Sequence, residues 1–431
     1  MSRGKRCRKE PRRPFLWAGV LAALAVIAAA ALVLPRLAEG EPDAPETPEP
    51  LQNKLVRPEP EPAPVLAELL LEGMTLREKV CQLFVASPSD LTGSAVPTEE
   101  AVRQALESWP VGGIIYDKSS LVSQEQTRTM LAQAQGGSPI PLLLTCDEEG
   151  GRVNRLMGKI GTTWVGAMLQ YESGGPEAAR TNARTIGTDM AACGFNLDLA
   201  PVADVWSNPA NKVIGDRAYS TSFQRAAELI PAAVEGFHQG GVACTLKHFP
   251  GHGDTSSDSH YGSVYVGKPL DQLRREELLP FQAGIDAGAD AVMMGHLIVR
   301  DAGDQPALFS YELVTELLRE EMGFEGVVIS DSLQMKAMTD HYASGEIAVS
   351  ALEAGVDLLL CPLDLEGAVQ AVLTSVEEGS LSEARIDESV LRVLRLKENA
   401  GLLDALAEAL LPPEEPPAPE RWRRPAGSVP E

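Results

Sequence analysis

The sequence has little positive charge beyond its first few residues. Its 431 residues carry a formal net charge of −24, although residues 1–14 alone contribute +6, so the remainder sums to −30. So acidic a chain repels nucleic acids and anionic membrane surfaces, which argues against both classes of binding protein. It favours a neutral substrate, or one held by a few well-placed cations.

Cysteine is also scarce, and no two cysteines stand in a Cys-x-x-Cys or zinc-ribbon spacing. Apart from Cys7, each cysteine stands singly within or beside an apolar stretch, and an odd number cannot all pair within one chain. We therefore expect buried thiols rather than a disulfide framework. These five are Cys81, Cys146, Cys193, Cys244 and Cys361.

One long apolar run is present, at residues 15–34, where 20 consecutive residues are uncharged. A helix of that length spans roughly the 30 Å hydrocarbon core of a bilayer. The basic residues 1–14 precede it, so the positive-inside rule predicts a cytoplasmic N-terminus and an exported remainder. We predict an uncleaved, single-pass signal-anchor with the following domain outside the membrane. Secretion after signal cleavage is the alternative.

Two segments have compositions that cannot form a packed core. Residues 35–64 are rich in Pro and Glu and predict an extended spacer between the anchor and the folded part. Residues 412–431 contain seven prolines and predict a disordered tail. A single folded domain is therefore expected over residues 65–411.

Within residues 65–411, short apolar runs alternate with helical stretches, the pattern typical of parallel strands joined by helices. One helix should begin at the capping box Thr75 to Glu78, and another should run from about Tyr311 to Gly323. Eight runs predict an α/β fold of the (β/α)8 TIM-barrel type, because no Gly-rich dinucleotide-binding turn follows the first. They are CQLFVAS, VGGIIY, IPLLLTCDEE, FNLDLAPVADV, VACTLKHFPGHG, AVMMGHLIV, GVVISDSL and VDLLLCP.

Polar side chains cluster where these predicted strands end. Any one of them could simply cap the next helix. Barrel enzymes, however, keep their chemistry at the carboxyl ends of the strands, and here five strands deliver polar groups to one rim. The sequence therefore predicts an active site formed from Asp147, Glu148, Glu149, Asp204, Lys247, His248, His296 and Asp331.

The run KHFPGHGDTSSDSH leaves one strand and enters a glycine-rich loop. In an extended segment residues i and i+2 share a side, so Asp258 can bond His260 and fix its tautomer. This predicts a positioned, protonatable acid. One alternative is zinc held by His248, His252 and His260, although no H-E-x-x-H or finger spacing is present. The other is a purely structural Asp–His hydrogen bond.

A second run, GVVISDSLQM, is an apolar strand that ends in Asp331 at the predicted rim. A carboxylate held there could attack the anomeric carbon of a sugar. Retaining glycosidases normally pair such a nucleophile with a second carboxylic acid. A histidine in the acid role is therefore a departure from the common pattern.

The runs KHFPGHGDTSSDSH, DEEGGRVNRL, IGDRAYS and ISDSLQM together resemble the single-domain β-N-acetylglucosaminidases of glycoside hydrolase family 3. The resemblance covers the whole predicted barrel. It implies Asp331 as nucleophile and His260 as acid/base, oriented by Asp258, without any cofactor or metal. Ser332 stands where a second Asp is frequent in the family, so the side chain beside Asp331 departs from the family's commonest pattern. Substrate binding is assigned by the resemblance to Asp147, Arg155, Arg217, Lys247 and His248.

The resemblance implies release of terminal non-reducing β-linked N-acetylglucosamine through a covalent glycosyl-enzyme intermediate. Combined with export, it points to peptidoglycan fragments as substrate. Two-domain β-glucosidases of the family are less similar, because they take the acid from a domain after the barrel. Phosphorolysis is another alternative, since a histidine repels phosphate less than a carboxylate does. A catalytically silent wall-binding protein is the alternative outside enzymes, and the intact Asp331, Asp258 and His260 argue against it.

Overall fold

The computed structural model describes residues 66–256 and 262–410. Among these residues, no helix combines the length and the apolar character needed to cross a membrane. Several sequence predictions fall outside the described residues and are not tested here. They are the basic segment 1–14, the anchor 15–34, the spacer 35–64, the tail 412–431, and the residues Asp258 and His260.

The described residues contain ten strands, which form one sheet of eight strands and one of two. The strands are β1 Phe84–Ala86, β2 Gly113–Ile115, β3 Leu143–Cys146, β4 Leu197–Asp198, β5 Ala243–Phe249, β6 Val264–Val266, β7 Ala291–Met294, β8 Leu297–Val299, β9 Val327–Ser330 and β10 Leu359–Leu360.

The larger sheet closes into a barrel. Its strands are all parallel and follow the order β10, β1, β2, β3, β4, β5, β7, β9. A parallel bridge pairs Ile329 of β9 with Leu358, next to β10, so the two edge strands meet. Across the same seam the backbone N–H of Ser330 donates to the carbonyl of Leu358 at 2.9 Å. The predicted (β/α)8 barrel is confirmed.

Helices connect the strands and cover the outside of the barrel. The predicted capping box is present, because Thr75 accepts a hydrogen bond from the backbone of Glu78 and Glu78 accepts one from the backbone of Thr75. The helices are α1 Leu66–Gly73, α2 Leu76–Gln82, α3 Pro88–Thr92, α4 Glu99–Ser108, α5 Gln124–Gly136, α6 Met157–Ile160, α7 Gly175–Cys193, α8 Phe223–Gly240, α9 Leu270–Arg275, α10 Leu278–Asp286, α11 Lys336–Thr339, α12 Ser344–Ala354, α13 Leu365–Glu377, α14 Glu383–Asn399 and α15 Asp404–Leu410, with a π-helix at Glu312–Glu321.

Alternate residues of each strand fill the barrel interior, as the period of two in a strand requires. Leu143 and Leu197, near the starts of their strands, belong to a fully buried inner cluster. Helix α14 adds Val393 and Leu396 to this cluster and so covers the amino end of the barrel. The opposite, carboxyl end carries polar side chains instead. The inner cluster thus fills the barrel beneath the polar rim with tightly packed apolar side chains.

Two helices on the outside approach each other unusually closely. A Cβ atom on Gly236 of α8 would lie 2.4 Å from the carbonyl oxygen of Arg180 in α7, and one on Gly240 would lie 2.8 Å from the Cα of Gly187. No side chain fits at either position, so glycine lets the two backbones touch. This contact fixes the end of α8 and therefore the start of β5, which carries two predicted site residues.

The run AVMMGHLIV, expected to form one strand, forms two. Strand β7 ends at Met294, and β8 leaves the barrel to pair with β6 in the small parallel sheet. Gly295 marks the break: a Cβ atom there would lie 3.1 Å from the Cβ of His248, so the chain turns away at a crowded rim. The prediction of a single strand was wrong at this point.

The five cysteines among the described residues are buried and unpaired. Burial raises the pKa of each of the Cys146 and Cys244 thiols well above its ordinary value. Both thiols are therefore protonated and uncharged at neutral pH. The expectation of buried thiols rather than a disulfide framework is confirmed for these residues.

Candidate active site

A cavity of about 350 Å³ opens at the carboxyl ends of the barrel strands. Because parallel strands end on one side of the sheet, residues that follow distant strands meet there. One wall is apolar, with Leu199, Met293, Met335 and Leu360. The charged part of the lining includes seven of the predicted site residues, Asp147, Glu149, Arg155, Arg217, Lys247, His248 and Asp331.

Asp147 follows β3 and bonds two cations at once. Its Oδ1 lies 2.7 Å from Lys247 Nζ, and its Oδ2 lies 3.1 Å from Arg155 Nη2. Burial opposes ionisation of this carboxyl, but Lys247 and Arg155 outweigh burial and lower the pKa of Asp147. Lys247 itself is 1% exposed and remains charged between its carboxylates. Asp147 is thus held ionised and in a fixed orientation in the lining of the cavity.

Glu149 forms the centre of the charged wall. Arg217 donates to both of its oxygens, Nε to Oε2 at 2.7 Å and Nη2 to Oε1 at 2.8 Å. Lys247 Nζ also lies 2.6 Å from Oε1. Although burial opposes it, these cations hold the pKa of Glu149 well below its usual range. Glu149 therefore positions two predicted sugar-binding cations, a role that the sequence did not assign to it.

Asp204, which follows β4 in the chain, orients His248. Its Oδ2 accepts hydrogen bonds from His248 Nδ1 at 2.7 Å and from the His248 backbone N–H at 3.1 Å. The bond to Nδ1 places a proton there and leaves Nε2 directed at the cavity, 3.4 Å from Arg217 Nη2. Burial opposes ionisation of Asp204, but His248 and His252 lower its pKa. Asp204 is the second functional residue that the sequence placed at the rim without a role.

Asp331 stands directly after β9 on the cavity wall. Its backbone N–H donates to the carbonyl of Met294 at 3.0 Å. Its Oδ1 accepts from the backbone N–H of Ser332 at 2.7 Å, and His296 Nε2 donates to the Ser332 carbonyl at 2.8 Å. The hydrogen bond beside Asp331 comes from the backbone, so it does not depend on which side chain occupies position 332.

The loop expected to carry the acid/base pair begins in the cavity wall. His252 lines the cavity, and its backbone N–H donates to Asp204 Oδ1 at 2.6 Å. A Cβ atom on Gly253 would lie 1.7 Å from the carbonyl oxygen of Val205, so only glycine permits this contact. The start of the loop is therefore held by Asp204 and Val205, which follow β4, while Asp258 and His260 lie outside the described residues.

Glu148 does not face the cavity, so its expected place in the site was wrong. Its carboxylate accepts the backbone N–H groups of Leu156 at 2.8 Å and Met157 at 3.3 Å, at the start of α6. The reason is the period of two along the chain, which sends Asp147 and Glu149 to one side and Glu148 to the other. Glu148 holds the loop after β3 in place.

Among the described residues, one set of three metal-binding side chains lies close enough together to hold an ion, and it is not in this cavity. His238, Cys244 and Asp290 lie together near the start of β5, at the opposite end of the barrel. In the cavity, the ring centroids of His248 and His252 lie 6.0 Å apart. His248 uses Nδ1 for Asp204, and His252 Nδ1 lies 2.7 Å from Thr255 Oγ1. The described part of the rim is built from ion pairs and hydrogen bonds.

Comparison with known proteins agrees with this geometry. The profile of the Glycosyl hydrolase family 3 N terminal domain matches residues 75–396. A beta-hexosaminidase from Xanthomonas axonopodis pv. citri is 36% identical over 310 residues, which cover 69% of this chain and 88% of that protein.

Two solved structures extend the comparison. A glycoside hydrolase family 3 beta-N-acetylglucosaminidase from Paenibacillus sp. FPU-7 has a TM-score of 0.72 and 39% identity, covering 76% of this chain and 63% of that one. LpqI of M. tuberculosis has a TM-score of 0.69 and 32% identity, covering 77% and 96%. The sequence resemblance is confirmed: the chain belongs to glycosyl hydrolase family 3 and is a glycoside hydrolase.

Proposed function

We propose that the protein is a retaining β-N-acetylglucosaminidase that releases terminal non-reducing N-acetylglucosamine from peptidoglycan fragments. The observation that carries this proposal is the position of Asp331, a carboxylate that lines the same small cavity as a set of fixed charges. Relatives named as beta-hexosaminidase and beta-N-acetylglucosaminidase support the choice of sugar. Membership of a hydrolase family argues against the silent wall-binding alternative.

In the proposed reaction Asp331 is the nucleophile. Its free carboxylate oxygen attacks the anomeric carbon as the glycosidic C–O bond breaks, and His260 gives its proton to the departing oxygen. Water then attacks the same carbon, loses a proton to His260 and releases Asp331. Two displacements at one carbon return the original anomeric configuration. The roles of His260 and of Asp258, which orients it, come from the family resemblance.

The size of the cavity supports cleavage at a chain end. At about 350 Å³ it lies near the lower end of the range for small-molecule sites, about 300 to 1,000 Å³. Such a cavity accommodates one sugar ring better than an internal stretch of polysaccharide. Its charged wall offers donors and acceptors for several hydroxyl groups, from Asp147, Arg155, Arg217, Lys247 and His248.

Peptidoglycan fragments are proposed because the catalytic barrel is predicted to be exported. The predicted anchor at residues 15–34 would place the barrel outside the cytoplasmic membrane, where wall fragments are found. A disaccharide of N-acetylglucosamine linked to N-acetylmuramic acid is the smallest substrate that carries the required bond.

Matched aryl glycosides test the sugar specificity. We predict that kcat/KM for an aryl β-N-acetylglucosaminide exceeds that for the corresponding β-glucoside by about 10- to 100-fold or more. The reason is that a missing acetamido group leaves buried polar partners unsatisfied, at about 1 to 3 kcal/mol for each group. Equal values, or a preference for the glucoside, would overturn the proposed specificity.

Product analysis separates hydrolysis from phosphorolysis. With the N-acetylglucosamine–N-acetylmuramic acid disaccharide, we expect free N-acetylglucosamine at the same rate with and without phosphate. Accumulation of N-acetylglucosamine 1-phosphate, with a rate that depends on phosphate, would instead identify a phosphorylase. Asp331→Asn provides the control, since it retains the shape of the side chain and removes the nucleophile in either reaction.

A further inference from the structure

Three metal-binding side chains meet at the end of the barrel opposite the cavity. His238 lies in the last turn of α8, Cys244 is the second residue of β5, and Asp290 immediately precedes β7. Their ligand atoms, an imidazole nitrogen, a thiol sulfur and a carboxylate oxygen, all lie within 4.8 Å of one another. Strand β5 separates this group from Lys247 and His248 at its other end. The group is therefore distinct from the proposed active site.

Rigid backbone holds the three side chains together. After α8 the chain turns through Gly241, whose φ of 86° is left-handed, and the N–H of Gly241 donates to the His238 carbonyl at 3.0 Å. This tight turn leads directly into β5 and Cys244. Strands β5 and β7 pair in parallel, with Thr245 opposite Ala291, so Asp290 is level with Cys244. The arrangement is set by secondary structure and not by a surface loop.

One carboxylate oxygen of Asp290 already contacts the other two residues. Asp290 Oδ2 lies 2.7 Å from His238 Nε2 and accepts the backbone N–H of Cys244 at 2.9 Å. The Cys244 sulfur lies within 4.8 Å of both the imidazole nitrogen and the carboxylate oxygen. A thiol, an imidazole and a carboxylate, from three different elements, therefore point at one spot. These are the three side-chain types that bind zinc most often.

The spot is accessible from one side. Cys244 is fully buried, whereas the side chains of His238 and Asp290 are 39% and 18% exposed. A cavity of about 380 Å³ adjoins them, lined by both side chains and by the backbone turn between α8 and β5. An ion that reaches the group from this cavity would meet His238 and Asp290 first, with the buried Cys244 behind them, and would leave one coordination position for water.

We propose that His238, Cys244 and Asp290 form a zinc site with water as the fourth ligand. Zinc bonds of about 2.0 to 2.3 Å require donor atoms somewhat further apart than the present N–O contact of 2.7 Å and closer than 4.8 Å, so the His238 and Cys244 side chains must rotate when the ion binds. The thiol proton is released to solvent, and the imidazole binds through unprotonated Nε2. No electron transfer is involved. The ion fastens the end of α8 to β5 and β7.

Cobalt(II), which reports on zinc sites, tests the proposal. Full-length protein without a polyhistidine tag is freed of metal with a chelator and titrated with Co²⁺. We expect one equivalent to bind, with a near-ultraviolet thiolate-to-cobalt band and tetrahedral visible bands, and zinc to displace it. Saturating zinc should raise the thermal unfolding midpoint, because the metal binds only the folded chain.

Matched variants identify the ligands. Cys244→Ser should abolish the thiolate band, and Cys193→Ser, at another buried cysteine, should leave it unchanged. His238→Gln changes a partly exposed residue with little risk to folding, and it should weaken zinc binding at least about tenfold. Absence of tight binding, or a band that persists in Cys244→Ser, would overturn the proposal. Turnover of an aryl β-N-acetylglucosaminide by the metal-free protein separates this result from the proposed enzymatic function.

Discussion

Single residues show how far the sequence determines the site. Asp147, Arg155, Arg217, Lys247 and His248 were assigned from family motifs, and the fold brings all five to one cavity. The carboxylates that hold them were named only as rim residues. The role of Glu149 could have been predicted, because Asp147 and Glu149 are two residues apart and therefore lie on the same side of an extended segment. No local signal links Asp204 to His248, because 44 residues separate them and only the barrel brings them together.

Asp204→Asn tests the positioning of His248. Asparagine keeps the size of the side chain but cannot accept the hydrogen bonds of both His248 and His252, so the imidazole should lose its fixed orientation. We expect kcat/KM on an aryl β-N-acetylglucosaminide to fall about 10- to 100-fold, for a loss of about 1 to 3 kcal/mol. The effect should fall mainly on KM if His248 binds the sugar equally in ground and transition states.

The control is Asp286→Asn, since Asp286 is an exposed residue at the end of the outer helix α10, where it accepts a hydrogen bond from Gln282. This change should leave kcat/KM nearly unaltered. If the two variants lose activity equally, or if Asp204→Asn merely lowers the thermal unfolding midpoint with normal kinetics in the folded fraction, the positioning role is wrong.

At the scale of elements, hydrophobic patterning located all eight barrel strands but not their ends. The strands are only two to seven residues long, so a short apolar run carries little information about where pairing stops. Run AVMMGHLIV therefore contained two strands, divided at Gly295. The helix expected from about Tyr311 is present at Glu312–Glu321, but with π-helical hydrogen bonding. Side-chain periodicity does not reveal this difference, because it depends on packing with neighbouring elements.

Helix α14 contains a buried lysine that makes stability depend on pH. Lys397 is fully buried, donates to Gln82 Oε1 at 2.7 Å, and burial lowers its pKa to about 7. In the unfolded chain its pKa is about 10.4. Between these values the unfolded chain binds more protons, so stability should rise with pH. Lys397 therefore destabilises the fold most at or below neutral pH.

We predict that Lys397→Met removes this dependence. The free energy of unfolding of the parent protein, from urea titrations, should increase relative to that of the variant by about 1 to 3 kcal/mol between pH 7.5 and about pH 9.5. Lys159→Met, at an exposed lysine, should follow the parent at both pH values. Parallel curves for the parent and Lys397→Met would show that Lys397 titrates normally in the folded state.

At the scale of the whole molecule, composition predicts a membrane anchor and a spacer that precede the catalytic barrel. The predicted anchor and spacer, residues 15–64, lie outside the described residues, and extracytoplasmic location stays a prediction. It follows from an uncharged run of 20 residues preceded by basic ones. The barrel could be predicted from two kinds of evidence. The eight apolar runs indicate the fold, and the four separated motifs indicate the family.

The topology can be measured in cells. We predict that the full chain sediments with membranes, and that protease added outside intact cells cleaves the spacer between Glu39 and Pro64, because this segment would be exported and extended. A variant lacking residues 15–34 should stay in the cytoplasm and resist the protease. Recovery of a soluble protein that begins near residue 38 would instead identify a cleaved signal peptide.

The central claim is that Asp331 forms a covalent bond to the sugar, and trapping of that intermediate tests it most directly. The protein is incubated with a slow fluorinated β-N-acetylglucosaminide bearing a good leaving group, digested and analysed by mass spectrometry. We predict a mass increase equal to one fluorinated sugar on the peptide that contains Asp331, and none in Asp331→Asn. A sugar adduct on a different residue, or turnover with inverted anomeric configuration and no adduct, would contradict the account.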